Sequence, residues 1–397
     1  MPQPPQPGRT VEETASRAIA PAASGVTAFV GHTLEGPVNR VVPVSAYMDY
    51  AKTFGGPAAS SELSYAVLQF FRNGGEKALI VRVPELDTGL PGLDMVAGRA
   101  SSFPMGLRCL EDDAEFELLC VPDCTRPREP GGTVSEFRHD AMAELWGQAM
   151  DLCRRKRALL IVDAPVDARD TAAAGAWVRG LPRESGGFAA AFAPWVRIDD
   201  PLNEGSPRLC APSGTIAGLI ARTDRQAGLW KMPAGIDASL RQVVGLSHTY
   251  GEAQQGVLHP LSLNLLREFP DRGILCWSAR TLSISPEFQY VPVRRLASHI
   301  ERSLQRGLAW TSLETGNEAL WKTSRREITA FMEGLFRRGA FPATTPKDAY
   351  FVKCGPDSMT QKDIDEGRLI VEIGFAPLQP AEFVILRISL TARPPNG

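Results

Sequence analysis

The sequence predicts a mixed α/β protein built from two subdomains with extended arms at both ends. Short apolar strands alternate with amphipathic helices from Val26 onward, the order that builds helices onto a sheet. Residues 1–24 are rich in Pro, Ala, Ser and Thr and carry almost nothing to bury, so they read as a linker arm. At the other end, Pro377 and Pro380 set off a last strand, Glu382 to Leu390. A chain of 397 residues has room for two or three cores. The expected division is an arm over 1–24, an N-terminal α/β region over 25–210, a C-terminal domain over 211–375 and a C-terminal donor-strand arm over 376–397.

The elements follow in order. Val26 to Gly31 is a short buried strand and Val38 to Val44 another; Ser45 is placed to cap a helix that runs to Phe54 and stops at Gly55-Gly56. Ser61 opens a helix with Leu63, Val67, Phe70 and Phe71 on its apolar side, ended by Asn73-Gly74-Gly75. Strands are expected over Lys77–Val83, Phe116–Val121, Arg157–Val162, Phe188–Val196 and Gly273–Thr281, and helices over Val134–Arg154, Thr171–Gly180 and Pro212–Arg222. Two long helices come late. Leu296, Ile300, Leu304 and Leu308 are spaced four apart in the first. Asn317 caps the second, whose inward stripe is Leu320, Ser324, Ile328, Phe331, Met332, Leu335 and Phe336, with Gly339 as the stop.

The terminal strand is the most informative segment. Phe383 and Ile385 point to one face, and Val384, Leu386, Ile388 and Leu390 to the other. A strand apolar on both faces has to lie in a sheet. The prolines before it make a stiff spacer. The expectation is a strand donated to a neighbouring copy.

Composition excludes several classes. The net charge of −2 and a pI near 6.3 argue against a dedicated nucleic-acid binder. No apolar run approaches the roughly 20 residues needed to cross a bilayer, and Met-Pro-Gln-Pro-Pro-Gln-Pro at the start has neither the basic opening nor the apolar stretch of a secretion signal. The seven cysteines are scattered and odd in number, as expected of reduced core thiols in a cytosolic folding compartment. Cys120-x3-Cys124 lacks a second pair at metal-site spacing.

No nucleophile elbow, P-loop or dinucleotide fingerprint occurs, and His32, His139, His248, His259 and His299 are isolated from one another. The one enzymatic lead is Asp163, Asp167 and Asp170, just past an apolar strand, where α/β folds bind ligands or Mg²⁺. They would serve a metal-dependent hydrolase. The competing account makes Asp163 and Asp167 turn residues and Asp170 a helix cap. The basic run Arg154-Arg155-Lys156-Arg157 complements a helix end. Between Arg294 and Arg338, nine basic against five acidic side chains leave the late helices at +4. That face is either simply solvated or docks an acidic protein surface.

The C-terminal half resembles the contractile tail sheath family of phage tails and bacterial contractile injection systems. The segments that carry the resemblance are Pro212 to Asp224 with Leu229 to Gly235, Gly273 to Leu282, Tyr290 to Leu296, Glu318 to Trp321, Met359 to Leu369 and Pro380 to Ile385. Thr27 to Gly31, Phe54-Gly55 and Phe70 to Gly75 agree more loosely. Members of that family often begin with an apolar strand, whereas Pro7-Gly-Arg-Thr-Val-Glu-Glu13 is polar here.

The resemblance implies a structural, non-enzymatic subunit without cofactor. Such subunits polymerise as stacked hexameric rings around an inner tube and contract without nucleotide hydrolysis to drive the tube through a target envelope. Val11 and Glu12 in one arm and Phe383, Val384, Ile385, Leu386, Arg387 and Ile388 in the other would be the inter-subunit strands. Lys322, Arg325, Arg326, Arg337 and Arg338 would face the tube. Implied partners are further copies of the chain, the inner tube protein, and baseplate and tail-terminator or cap proteins, with no nucleic acid and no membrane insertion. Assembly would take place in the bacterial cytoplasm, and the product would belong to a phage tail or a tail-like injection particle. A static fibre or shell built on the same arm exchange is a further reading.

Overall fold

The structure is a computed structural model of the chain and describes residues 17–83, 102–112, 114–125, 139–378 and 383–394. They form two compact units. The larger comprises Ala23–Ile300 with Ala376–Val384; the smaller comprises the described residues of Met1–Ala22, Glu301–Phe375 and Ile385–Gly397.

The larger unit is organised by one eight-stranded sheet. Its members are β1 (Val26–Gly31), β2 (Val41–Val44), β3 (Lys77–Arg82), β4 (Leu118–Cys120), β5 (Leu159–Asp163) and β6 (Ala189–Ala193). After β7 (Val196–Asp199), β8 (Pro207–Cys210) and β9 (Gly245–Leu246), which form a small separate sheet, come β10 (Leu263–Phe269) and β11 (Gly273–Cys276). The order across the main sheet is β11-β10-β6-β5-β4-β1-β3-β2. The six central strands are parallel to their neighbours; β2 and β11 pair antiparallel at the two edges.

A parallel sheet is covered on both faces, and the period-2 alternation sorts side chains between two cores. Ala28, Val30, Leu119, Leu160 and Val162 join Phe103, Trp146 and Trp177 in one cluster. Phe29, Leu118, Cys120, Leu159 and Ile161 join Tyr50, Phe54, Tyr65, Phe70 and Ile220 in the other.

The division of the chain differs from the expected break at 210/211. Residues 211–300 include β10, which pairs with β6, and the helix Ser213–Ala227, which packs in the second core; strand pairing keeps them in the larger unit. The arm expected over 1–24 also ends earlier. Ile19 and Ala22 are buried, and the Ala22 amide donates to Ser303 Oγ at 2.9 Å within the smaller unit.

Helix starts follow local capping chemistry. Ser61 accepts from the Ser64 amide at 2.9 Å, Asp170 from Ala173 at 2.8 Å and Asn317 from Leu320 at 3.0 Å. Ser45 does not cap: the N-cap is Ala46, and the Ser45 amide donates to Asp49 Oδ2 at 3.2 Å. Among the other expectations, the helix predicted from Val134 is described from His139, with 134–138 outside the described residues. The strand predicted to Thr281 ends at Cys276.

Two helices on the same face approach closely enough to exclude any side chain between them. A Cβ built on Gly214 would lie 2.1 Å from the Ala66 carbonyl oxygen, and one on Gly218 would lie 2.4 Å from that of Phe70. The Gly-x3-Gly spacing of Ser213–Ala227 therefore sets its distance to Glu62–Asn73.

Buried carboxylates terminate two of the parallel strands. Asp123, just past β4, accepts from the amides of His32 at 2.9 Å, Glu62 at 2.8 Å and Leu63 at 3.3 Å. It thereby satisfies the start of the helix Glu62–Asn73. Asp163 at the end of β5 accepts from the Ser213 amide at 2.7 Å. Burial pushes both carboxyls from 3.8 up to about 7 against the opposing pull of these hydrogen bonds.

The smaller unit is built on β12 (Tyr350–Cys354), β13 (Arg368–Phe375) and β14 (Val384–Thr391), ordered β12-β13-β14. β12 and β13 are antiparallel, with Tyr350 opposite Phe375 and Cys354 opposite Val371. The helix Glu318–Arg337 buries Leu320, Ser324, Ile328, Phe331, Met332 and Leu335 of the stripe read from the sequence, and Phe336 is half-buried.

Two outcomes follow from the larger unit. An exposed helical glycine gains about 0.5–1 kcal/mol on replacement by alanine, but Gly218→Ala should instead lose about 1–3 kcal/mol by overpacking, read from the urea-unfolding midpoint. For Asp123 and Asp163, the native chain holds protons that the unfolded chain has released between about pH 4 and pH 7. Their contribution is therefore present below about pH 4 and lost as pH rises through about 7. Asp163→Asn should flatten part of that fall, by roughly 1–4 kcal/mol between about pH 4 and pH 8.

Candidate assembly surfaces

The carboxylates that could have formed a metal site are not brought together. Asp163 is buried and engaged with Ser213, Asp167 is exposed, and Asp170 caps Thr171–Arg179. Among the described residues no group of three His, Cys, Asp or Glu side chains could hold a metal ion. None of the seven cysteines is in a disulfide and six are buried; burial raises the thiols of Cys120 and Cys124 far above the ordinary range, which disfavours the thiolate a metal needs. The hydrolase reading finds no support in this geometry. Arg154 and Arg155 at the helix end pair with Asp151 at 3.0 Å and Glu111 at 2.7 Å.

The terminal strand sorts its side chains as its alternation requires. Val384, Leu386 and Ile388 are buried, and Ile385 and Phe383 are 54% and 39% exposed. β14 lies beside β13 of its own chain. Its far end is tied down by the Ala392 amide donating to Gly367 O at 2.8 Å, the Arg393 amide to Glu314 O at 2.8 Å and the Gly316 amide to Arg393 O at 2.8 Å. Thr311 Oγ1 adds a bond to Thr391 O at 3.0 Å.

In the single chain this segment therefore lies in the sheet of its own molecule. An unpaired strand takes the nearest compatible edge, and β13 precedes it by a short linker. Burying Val384, Leu386 and Ile388 contributes about 1.5–3 kcal/mol each. Val11 and Glu12 lie outside the described residues. β12, the remaining partner in this sheet, was missed in the sequence; its signal was the β-prone run Tyr350-Phe-Val-Lys-Cys354 before Gly355.

Seven of the nine late basic residues, all but Arg302 and Arg306, divide into two groups. Arg294 and Arg295 are not surface charges: each is 3% exposed. The Arg294 guanidinium lies 4.5 Å from the Phe188 ring centroid and 4.4 Å from that of Phe288. Arg295 bonds Asp224 at 2.7 Å and Glu117 at 3.1 Å.

The second group lies on Glu318–Arg337 and is exposed, with an acidic neighbour for nearly every cation. Lys322 pairs with Glu318 at 2.7 Å, Arg325 with Asp357 at 2.9 Å, Arg326 with Glu327 at 2.8 Å and Arg337 with Glu333 at 2.9 Å. Arg338 Nε donates to the Gly334 carbonyl at 3.2 Å. Asp357, distant in sequence, enters this face only through folding. The face is a lattice of ion pairs with a basic excess rather than a bare cationic patch.

Comparison with known proteins converges on one family. Residues 283–391 match the phage tail sheath C-terminal domain. The chain is 24% identical over 179 residues to the tail sheath protein of Enterobacteria phage T4; the match covers 45% of this chain and spans about a quarter (26%) of the phage protein. Among solved structures, the PVC sheath complex of an extracellular contractile injection system, in the contracted state, matches at a TM-score of 0.71 and 25% identity, covering 98% of both chains. A chain of the anti-feeding prophage baseplate matches at 0.70 and 27%, covering 98% of this chain and 99% of that one. With residues 283–391 matching the sheath domain and the fold shared over nearly all its length, the chain is similar throughout to contractile tail sheath proteins.

Proposed function

We propose that this chain is a structural subunit of a contractile sheath: it polymerises as stacked hexameric rings around an inner tube and contracts, without nucleotide hydrolysis, to drive that tube through a target envelope. The observation that carries this reading is the end-to-end likeness to a sheath in its contracted state, together with the sheet β12-β13-β14 whose last strand shows apolar side chains on its outer face.

The edge of β13 is a strand acceptor. The same backbone donors and acceptors serve a β14 from this copy or from a neighbour, as in domain swapping. The linker before β14 contains Pro377 and Pro380 and is the segment that would redirect the strand. Several backbone hydrogen bonds at about 0.5–1.5 kcal/mol each, plus the three buried side chains, make a tether that survives repacking of the larger units. The free energy for movement then comes from new contacts between those units, the extended array being a trapped packing.

In this reading the exposed face of Glu318–Arg337 looks toward the inner tube. Its ion pairs are worth little in water, about 0–1 kcal/mol each, so its arginines and lysine can exchange acidic neighbours on their own helix for acidic groups on the tube. Baseplate and terminal cap proteins are the remaining partners. The assembly site is the bacterial cytoplasm, and the product is a phage tail or a tail-like particle.

Ile385→Lys should leave the thermal unfolding temperature within about 2 °C of the parent, because the side chain is exposed and such changes cost about 0.5 kcal/mol or less. It should abolish the hollow cylinders seen by electron microscopy of the purified protein; cylinders of normal length would rule out the outer face of β14 as an assembly contact. Replacing Lys322, Arg325, Arg326, Arg337 and Arg338 with Glu should preserve cylinders but release the co-purifying tube, and particles with tube retained at normal stoichiometry would refute the docking assignment.

A further inference from the structure

The short stretch Leu308–Gly316 is gripped by segments from opposite ends of the chain. It contains one 3₁₀ turn, Ala309–Leu313, and links the helix Val291–Gly307 to the helix Glu318–Arg337. Residues 17–22, 301–316 and 391–393 all belong to the smaller unit.

One grip comes from residues 17–22. The Arg17 guanidinium lies 4.2 Å from the Trp310 ring centroid and donates to Glu314 Oε1 at 2.9 Å. A guanidinium held at once by a ring face and a carboxylate is fixed in orientation as well as in position. Ile19 is buried against Gly307: a Cβ there would lie 2.8 Å from both Ile19 Cγ atoms, so the helix ends in a residue that leaves room for this side chain. The Ala22 amide closes the strap on Ser303 Oγ at 2.9 Å.

The other grip comes from residues 391–393. The Arg393 amide donates to Glu314 O and the Gly316 amide to Arg393 O, both at 2.8 Å, and Thr315 and Arg393 form a parallel bridge. Thr311 Oγ1 shares its one proton between Leu308 O at 2.8 Å and Thr391 O at 3.0 Å. Glu314 takes part in both grips: its carboxylate holds Arg17 and its carbonyl holds Arg393.

A single 3₁₀ turn makes few hydrogen bonds of its own, and those have poor geometry, so its order depends on what packs on either side. Aiming the Glu314 carboxylate at Arg17 and its carbonyl at Arg393 requires one backbone conformation, and losing either contact frees that residue to leave it. We propose that Leu308–Gly316 is a coupling element: residues 17–22 and 391–393 stabilise one another through it, and freeing either segment loosens the other. Such coupling is reciprocal by linkage. It is a property of the single chain and concerns how firmly the roots of the two terminal segments are held, not what those segments pair with.

Hydrogen–deuterium exchange of the full-length chain tests this, read at the Arg393 and Gly316 amides for the C-terminal side and at the Ala22 amide for the N-terminal side. Arg17→Ala should speed exchange at Arg393 and Gly316 about three- to tenfold, although the hydrogen bond it removes is to Glu314. Arg17→Lys, which keeps the charge but loses the flat face on Trp310, should have a smaller effect. Gly307→Ala displaces Ile19 while favouring the helix, and should act in the same direction as Arg17→Ala. From the other side, Thr311→Val should speed exchange at Ala22. The amides of Glu62–Asn73 in the larger unit serve as the internal standard for an intact fold. Unchanged exchange at Arg393 and Gly316 in Arg17→Ala, unchanged exchange at Ala22 in Thr311→Val, or an equal acceleration throughout the β12–β13 pair would each overturn the proposal. None of these outcomes depends on whether cylinders form.

Discussion

A strand that buries Val384, Leu386 and Ile388 on one side has to present its backbone to a partner, and the edge of β13 supplies it. The smaller unit depends on that pairing. Without β14 the antiparallel pair β12–β13 would expose a continuous row of amides and carbonyls together with the apolar face beneath Val371 and Ile373. A two-stranded ribbon is marginal in water, whereas three strands packed on a helix are not. The hydrogen-bonding demand of the β13 edge is met here by β14 of the same chain. Ile385 and Phe383 stay exposed on the reverse face.

The larger unit is constrained in the opposite way. Its strands are buried on both faces, its two helices Glu62–Asn73 and Ser213–Ala227 touch backbone to side-chain-free backbone at Gly214 and Gly218, and its strand ends are closed by Asp123 and Asp163. In many α/β proteins the carboxyl ends of parallel strands and the adjoining helix starts hold a ligand. Here the chain's own carboxylates occupy the positions an anion would take, and the site is filled. Burial on both faces, close helix contact and capped strand ends together make this unit densely packed.

Charge plays two distinct roles along one stretch of sequence. Arg294 and Arg295 are spent inside: one between two phenylalanine rings, the other against Asp224 and Glu117. Removing a partner from such a buried set leaves an uncompensated charge and costs several kcal/mol, on the order of 3–5. Lys322, Arg325, Arg326 and Arg337 stay in water with exchangeable neighbours. A count of net charge over the segment mixes these populations, so +4 overstated what the surface presents.

Local physics was legible from the residues alone. The caps at Ser61, Asp170 and Asn317, the inward stripe of the helix Glu318–Arg337 and the two faces of the last strand all follow from neighbours within about four positions along the chain, and the α/β class from the order of such elements. The tertiary structure alone decided which strands meet. It put residues 211–300 in the large sheet by pairing β10 with β6, set β14 beside β13 of its own chain, buried Arg295, brought Asp357 to Arg325, and turned Asp163 from a candidate ligand into a helix cap. The physical reason is that capping and periodicity are contained in one stretch of chain. Strand partners and ion pairs are instead selected by whatever distant edge or charge the completed fold brings within reach.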